Sequence, residues 1–291
     1  MADNNLTATD YTAGAVDAAK AVMVELTHLL HEYRDNILII GGWVPELLAH
    51  GGMPPHVGSM DVDLALDQRK LQETGYQSIR RLLEGRGYYQ KPGRYPFKFF
   101  RGVPVTGSAE PIEVEIDLLA GTYEGTGKSH KHQRVQDDLQ PLKARGCEFA
   151  FDQPARDVPL TATLPGGGRD SVTLRVASIV PFLMMKGIAL KGRSKEKDAY
   201  DIVYCLKNYP GGAEAVAEEC RPHLSHGIVR EGLGHIAQAF ASPEATGPAW
   251  YASFIEAGDL EEREIAAQDA YQQITAFLES AGYTLGSEGQ S

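Results

Sequence analysis

The chain has 291 residues, 43% hydrophobic and 23% charged, the balance of a folded protein with a sizeable core and not of a disordered or fibrous one. Its 39 acidic residues against 28 basic ones give a formal net charge of −11. That excludes a general nucleic-acid coat, although not RNA as a substrate met by a local basic patch.

The opening residues MADNNLTATDYTAG are polar and acidic, without the basic and apolar segments of a secretory signal. The most apolar run, VASIVPFLMMKGIAL, is interrupted by Lys186 and is too short to span a bilayer. Cys147, Cys205 and Cys220 form no CxxC pair, and their odd number fits a reducing compartment. A cytoplasmic protein with no membrane contact is expected.

Apolar residues at helical spacing (Val16, Ala19, Val22, Met23, Leu26, Leu29, Leu30) predict a helix over 14–34. NILIIGG then reads as a strand buried on both faces and ended by Gly41-Gly42. WVPELLAH is a short helix with Pro45 in its first turn, and GGMPPHVGS is a loop. MDVDLALD alternates, so a strand there puts Asp61, Asp63 and Ala65 on one face and Val62, Leu64 and Leu66 on the other. Residues 68–86 form a helix. PFKFFRG and PIEVEIDLLAG are two further strands, the second with Glu113, Glu115 and Asp117 on one face. The stretch from CEFAF to RVAS reads as short strands joined by turns, with LPGGGRD as a loop. Five helical patterns follow, at 178–191, 195–207, 212–221, 225–241 and 249–281, the last broken near Gly258. The chain therefore divides into an α/β core over 1–176 and a helical domain over 177–291.

A D-x-D pair on a strand is often no more than two solvent-facing acids. Three features add to it. Gly41-Gly42 ends a buried strand at the start of a helix, and Gly58-Ser59 directly precedes the aspartates. Backbone N–H groups at such turns bind phosphate oxygens, and a serine hydroxyl adds a donor. Asp117 lies on a later strand. Mg²⁺ takes hard oxygen ligands and shares them with substrate phosphates, and paired carboxylates can bridge two ions. Finally KGIALKGRSKEKDAYDIVYCL gathers Lys186, Lys191, Arg193, Lys195 and Lys197, cations suited to β- and γ-phosphates.

This set, Gly41-Gly42, Gly58-Ser59, Asp61-Val62-Asp63 and Asp117, resembles the nucleotidyltransferase superfamily with the fold of polymerase β. Lys186, Arg193 and Lys197-Asp198-Ala199-Tyr200-Asp201 resemble the lysine, the arginine and the basic-Asp-x-x-Asp of the AbiEii group, which includes the MenT toxins of type IV toxin–antitoxin systems. The likeness spans about residues 36–207. It departs at the first motif, where many members place Gly-Ser and this chain has Gly41-Gly42-Trp43.

The resemblance implies an α+β protein, a nucleotidyltransferase-fold mixed sheet flanked by helices and followed by a helical region. It implies transfer of a nucleoside monophosphate from an NTP to an acceptor, with release of pyrophosphate. The acceptor is expected to be RNA, the 3′ end of tRNA, in a toxin with a cognate antitoxin protein as partner. Asp61, Asp63 and Asp117 would hold two Mg²⁺ ions. Gly41, Gly42, Ser59, Lys186 and Arg193 would bind the nucleotide. Lys186 would hold the triphosphate, and Asp201, ahead of Asp198, would orient lysine or substrate.

Other readings stay open. The alternative acceptors are an aminoglycoside, whose positive charge suits the acidic balance, or a protein hydroxyl; a third reading is an inactive NTP-binding or antitoxin-like partner. The alternative for Lys186 is a side chain that snorkels out of an apolar helix, and for Asp198 and Asp201 a role as surface partners of Lys195 or Lys197. At least one of Glu113 and Glu115 is expected to be a solvated strand residue. Lys128, His130, Lys131, His132, Arg134, Lys143 and Arg145 make either a solvated loop or an RNA-backbone patch. His130 and His132 are zinc ligands by type, with no partner cysteines nearby. Trp43 and Tyr95 suit either base stacking or packing.

Overall fold

The structure, a computed structural model, describes residues 6–49, 51, 53–71, 78–93, 95–105, 109–122, 136 and 138–284. The chain forms two compact units, one of Tyr11–Leu47 with Val57–Ser178 and one of Met1–Asp10, Leu48–His56 and Ile179–Ser291. It is α+β, with a mixed seven-stranded sheet flanked by helices, followed by further helices. No helix among the described residues is long and apolar enough to cross a membrane. Cys147, Cys205 and Cys220 are all free and buried.

In the sheet unit, the Thr12 hydroxyl caps α1 (Ala13–Leu29) by accepting from the Ala15 N–H, and one side of the helix buries Ala18, Ala19, Val22, Met23 and Leu26. The predicted helix to residue 34 stops short. His31–Asn36 tighten into a 3₁₀ turn that buries Tyr33 and leads directly into β1 (Ile37–Ile40), whose four residues are all buried. Gly41–Trp43 make a 3₁₀ turn into α2 (Val44–Leu48). Then come β2 (Asp61–Leu66), α3 (Gln68–Leu71) and α4 (Ile79–Gly85). The middle of the helix predicted over 68–86 lies outside the described residues.

β3 (Lys98–Val103), β4 (Ile112–Ala120) and β5 (Leu142–Lys143) follow. The expected strand at CEFAF is instead a one-turn helix, α5 (Cys147–Phe151), entered from Gly146 at φ 88°. Five residues are too few for period 2 to be told from a helical turn, and here Cys147 and Ala150, three apart, are both buried. β6 (Arg156–Thr163) and β7 (Arg169–Val176) form a hairpin around the predicted loop. β6 is an edge strand, which tolerates Pro159.

The strand order is β3-β4-β2-β1-β7-β6, with β5 added beside the end of β4. β2 pairs parallel with β4, and β1 parallel with β7, while β1–β2, β3–β4 and β6–β7 are antiparallel. α1 lies along the sheet with Met23, Leu26 and Leu30 near Ile39, Leu64 and Leu174.

The helical unit comprises α6 (Ile179–Gly192), α7 (Glu196–Asn208), α8 (Gly212–Cys220), α9 (Gly227–Ala239), α10 (Thr246–Phe254) and α11 (Leu260–Ala281). α6 and α9 cross with backbone against backbone. A Cβ on Gly187 would meet the Gly232 carbonyl oxygen at 2.2 Å, and one on Gly232 would meet Met184 Cα at 2.7 Å. The break expected near Gly258 separates α10 from α11, where the Asp259 carboxylate caps the N-terminus by accepting from Glu262 N–H at 3.0 Å.

Glu25 is among the charges buried in this unit. Glu25 of α1 accepts from Arg86 Nε at 3.0 Å, Tyr88 Oη at 2.9 Å and Arg101 Nε at 3.0 Å. Burial pushes its pKa up, and the Arg101, Tyr88 and Arg86 donors together bring it below the ordinary 4.5. The stability it contributes is present above pH 4.5 and is lost as pH falls through the lower folded value. Glu25→Gln is expected to destabilise the protein by about 2–4 kcal/mol near pH 7, measured by urea unfolding, with the gap closing in acid.

Candidate functional site

The carboxylates meet because β2 and β4 run parallel in register. Asp61 pairs with Glu115 and Asp63 with Asp117. Neighbouring strands lie about 4.8 Å apart, so four carboxyl groups share one face of the two central strands. Two like charges at that spacing repel by about 3–4 kcal/mol at an effective dielectric of about 20. The patch therefore needs cations.

Lys98 of β3 is one. It pairs directly with Asp117 across the antiparallel β3–β4 ladder. Its ammonium donates to Asp117 Oδ2 at 3.0 Å, lies 3.0 Å from Oδ1, and also donates to the Glu115 carboxylate. Burial pulls the Lys98 pKa down, but the Asp117 and Glu115 carboxylates more than offset this and hold it above its ordinary value. Burial pushes Asp117 up to about 6; Lys98 opposes the rise, and the Glu115 and Asp61 charges add to it. Asp117 Oδ1 is buried and takes no hydrogen bond of good geometry, although the ammonium lies 3.0 Å from it.

The Gly41 turn and the Ser59 loop fix the β2 acids. Gly41 sits at φ 71°, and a Cβ there would meet Asp63 Oδ2 at 1.9 Å. Only glycine lets the turn lie against that carboxylate. Trp43 is fully buried, and its Nε1–H donates to the Asp61 carbonyl oxygen at 2.7 Å, pinning the start of β2. Trp43 is thus a packing residue, and the base-stacking alternative does not hold for it. The buried Ser59 hydroxyl donates to the Asp61 carboxylate. Its proton is directed at Asp61, so its part here is to orient that acid. Gly42 continues the turn as a half-buried residue.

Among the described residues, no group of three or more His, Cys, Asp or Glu side chains is arranged so that it could hold a metal ion. By type, the donors of the patch are those a hard divalent ion takes. They are carboxylate oxygens on adjacent strands, one of them the orphaned Asp117 Oδ1, with the Gly41 cradle keeping Asp63 in place. Glu113, at the outer end of β4, is exposed and pairs with Lys91 and Tyr89.

The helical unit holds a separate cluster. Lys186 of α6 donates to Asp198 Oδ1 at 2.6 Å and Asp201 Oδ2 at 2.7 Å. Arg193 Nε and Nη2 reach the two Asp198 oxygens at 2.8 and 3.0 Å, a two-pronged grip. Lys197 Nζ donates to Asp201 Oδ1 at 2.7 Å, and His56 Nε2 lies 3.0 Å from the same oxygen. The His56 ring stacks on Tyr200 and meets Tyr204 edge-on. Burial opposes charge on both aspartates, yet Lys186 outweighs it with Arg193 at Asp198 and with Lys197 at Asp201, so both lie below the ordinary range, Asp201 far below. Burial likewise opposes charge on Lys186, and the Asp198 and Asp201 carboxylates hold it above its ordinary value.

Two alternatives do not hold here. Lys186 is buried and does not snorkel, and Asp198 and Asp201 are fully buried and not on the surface, although Lys197 does pair with Asp201. An i, i+3 pair beside Lys195 and Lys197 looks like a solvated face; burial becomes possible because each acid gains two cations. A phosphate would have to compete with both carboxylates for the Lys186 ammonium. Sequence reasoning missed Lys98, Glu115 and His56 as members of either cluster, and ranked Asp198 below Asp201 although both grip Lys186.

Lys128, His130, Lys131, His132 and Arg134 lie outside the described residues. Lys143 is half-buried in β5, and Arg145 is exposed. Tyr95 is exposed, tilted on Phe97. Comparison of the chain with family models, curated proteins and solved structures returned no match.

Gly41→Ala is expected to cost at least about 2 kcal/mol in urea unfolding, from the left-handed φ and the Asp63 clash. The cost should shrink, without vanishing, in the Asp63→Ala background. Lys186→Met leaves two buried acids under-compensated and should cost about 3–5 kcal/mol, against about 1 kcal/mol or less for the half-exposed Arg193→Gln, both read by thermal unfolding.

Proposed function

We propose that the chain is a Mg²⁺-dependent nucleotidyltransferase built on a nucleotidyltransferase-type sheet. One observation carries the reading: Asp63 and Asp117 stand at directly paired positions of neighbouring parallel strands, Asp61 and Glu115 two positions along on the same face, against a glycine turn with no room for a side chain. Asp61, Asp63 and Asp117 would hold the ions. When bound, the ions would neutralise triphosphate charge and ease deprotonation of the acceptor hydroxyl.

The residues' own parts follow. Ser59 and Trp43 keep Asp61 in place, and Gly41 keeps Asp63 in place. The backbone N–H groups of the Gly41-Gly42 turn are donors of the kind that bind phosphate oxygens. Asp117, its pKa raised to about 6 by burial, is suited to accept the acceptor hydroxyl's proton. The hydroxyl oxygen then bonds to the α-phosphorus, the bond from that phosphorus to the bridging oxygen breaks, and pyrophosphate leaves with the electron pair. The nucleotide-binding part assigned to Lys186, Arg193 and Asp201 rests on the resemblance of their spacing to the AbiEii group.

The acceptor we favour is RNA, a tRNA 3′ end, in a toxin countered by an antitoxin. The net charge of −11 favours a cationic small molecule as the second reading. Purified protein incubated with each labelled NTP, Mg²⁺ and total tRNA should label the RNA, and Asp61→Ala or Asp63→Ala should lower the rate at least about 10³-fold. Label passing to an aminoglycoside or to protein instead would move the assignment to those acceptors. Label passing to nothing would sink the enzyme reading. Growth arrest on expression, relieved by Asp61→Ala, is the expected mark of the toxin.

A further inference from the structure

We propose that Lys98 is a built-in counter-ion of the carboxylate patch, and that a divalent cation loads the site by displacing its ammonium from Asp117 and Glu115. The inference rests on the metal-site reading above. It adds a residue that the D-x-D motif and the third acid do not contain.

Three observations place Lys98 in this part. First, it is the direct cross-strand partner of Asp117, so the β3–β4 ladder delivers its ammonium to the patch. Second, the ammonium lies 3.0 Å from each oxygen of Asp117 and is shared with Glu115, so one point charge serves two carboxylates as a metal ion would. Third, its geometry is incomplete. Oδ1 of Asp117 is within reach of the charge yet has no hydrogen bond and no access to water. An ammonium has three directed donors, whereas a metal ion has no such directional need and satisfies both oxygens at once.

The alternative is that Lys98 is an ordinary cross-strand ion pair. Such a pair lies at the surface with both groups solvated, and its loss changes little. Here the lysine side chain is about one-fifth exposed, as is Asp117, and Phe97 lies beside the ammonium at 5.7 Å from ring centroid to Nζ. Its loss leaves carboxylates facing one another on adjacent strands, with their repulsion uncancelled until another cation arrives. Lysine and ion therefore compete for the same oxygens. The lysine keeps the patch folded without metal and sets the ion concentration at which loading begins. Its flexible four-carbon stem allows it to leave without moving the strand.

The test uses Mn²⁺ as the probe ion with the full chain. Lys98→Met should bind Mn²⁺ about tenfold or more tightly than wild type by calorimetry, because the competitor is gone. Its thermal midpoint without metal should fall, and saturating Mn²⁺ should restore more of it than in wild type. Should Lys98→Met not fold, Lys98→Gln serves for the same measurement. An independent readout is amine labelling of wild type followed by peptide mass spectrometry, in which Lys98 should react several-fold faster with saturating Mn²⁺ than without. Unchanged or weaker Mn²⁺ binding in the variant, or labelling at Lys98 indifferent to Mn²⁺, overturns the proposal. Asp63→Asn separates the two readings: if it binds Mn²⁺ as wild type does, the metal-site reading itself fails, whatever Lys98 does. No binding by wild type together with tight binding by Lys98→Met supports displacement; no binding by either removes both.

Discussion

The in-register parallel pairing of β2 with β4 is the constraint on which the sheet unit's chemistry depends. It sets Asp61 beside Glu115 and Asp63 beside Asp117 in the middle of a mixed sheet. A shift of one residue would turn the acids of one strand to the other face. Their partners would then be Val62, Leu64, Val114 and Ile116, all fully or nearly fully buried. The hydrophobic face therefore enforces the register, and the register gathers the charge. Burial of Leu64 and Ile39 near α1 indirectly holds like charges together that would otherwise separate.

The helical unit handles buried charge in the opposite way. Around Asp198 and Asp201 it brings Lys186, Arg193, Lys197 and His56, and the polar atoms of the two acids accept several donors at 2.6–3.0 Å. Such a cluster costs desolvation for every ion and repays it only through complete pairing. Removal of Lys186, which serves both acids, leaves buried charge uncovered; the cluster ties α7 to α6 through Lys186 and anchors His56 to α7. The sheet patch is less complete. Asp117 keeps an unbonded oxygen and an elevated pKa of about 6, signs of an acid held charged at some cost.

Legibility in the sequence followed the range of the interaction. Alternation alone put Asp61 and Asp63 on one face of a strand, and Glu113, Glu115 and Asp117 on one face of another, since period 2 is a local property. Which strand neighbours which is not local, so periodicity could not pair β2 with β4; only the resemblance put Asp117 with Asp61 and Asp63, and the place of Lys98 was out of reach. The FKFF stretch carries Lys98 between apolar residues, and nothing in it names Asp117 across the ladder. His56 stood alone in a loop without periodicity. Asp198 and Asp201 shared a helix face by spacing, but neighbouring lysines made that face look solvated. Gly41 was readable as a turn. That its missing Cβ is the space taken by Asp63 required three-dimensional placement.

These two solutions bear differently on function. A cluster whose acids are each gripped by two or more cations has little left to offer a phosphate without losing an internal pair, so its main effect is on the geometry of the helices that carry it. A patch of carboxylates at paired strand positions, partly covered by one ammonium on a flexible stem, is the arrangement on which the proposed exchange of that cation for a divalent ion rests. Exchange of this kind needs rigid ligands and a flexible placeholder. The strands, Ser59, Trp43 and Gly41 supply the rigidity, and Lys98 is attached by the most flexible stem in the patch. The difference in stiffness between the acids and their lysine is therefore what the proposed exchange would draw on: the strands would keep the carboxylates in place while the lysine stem swings away.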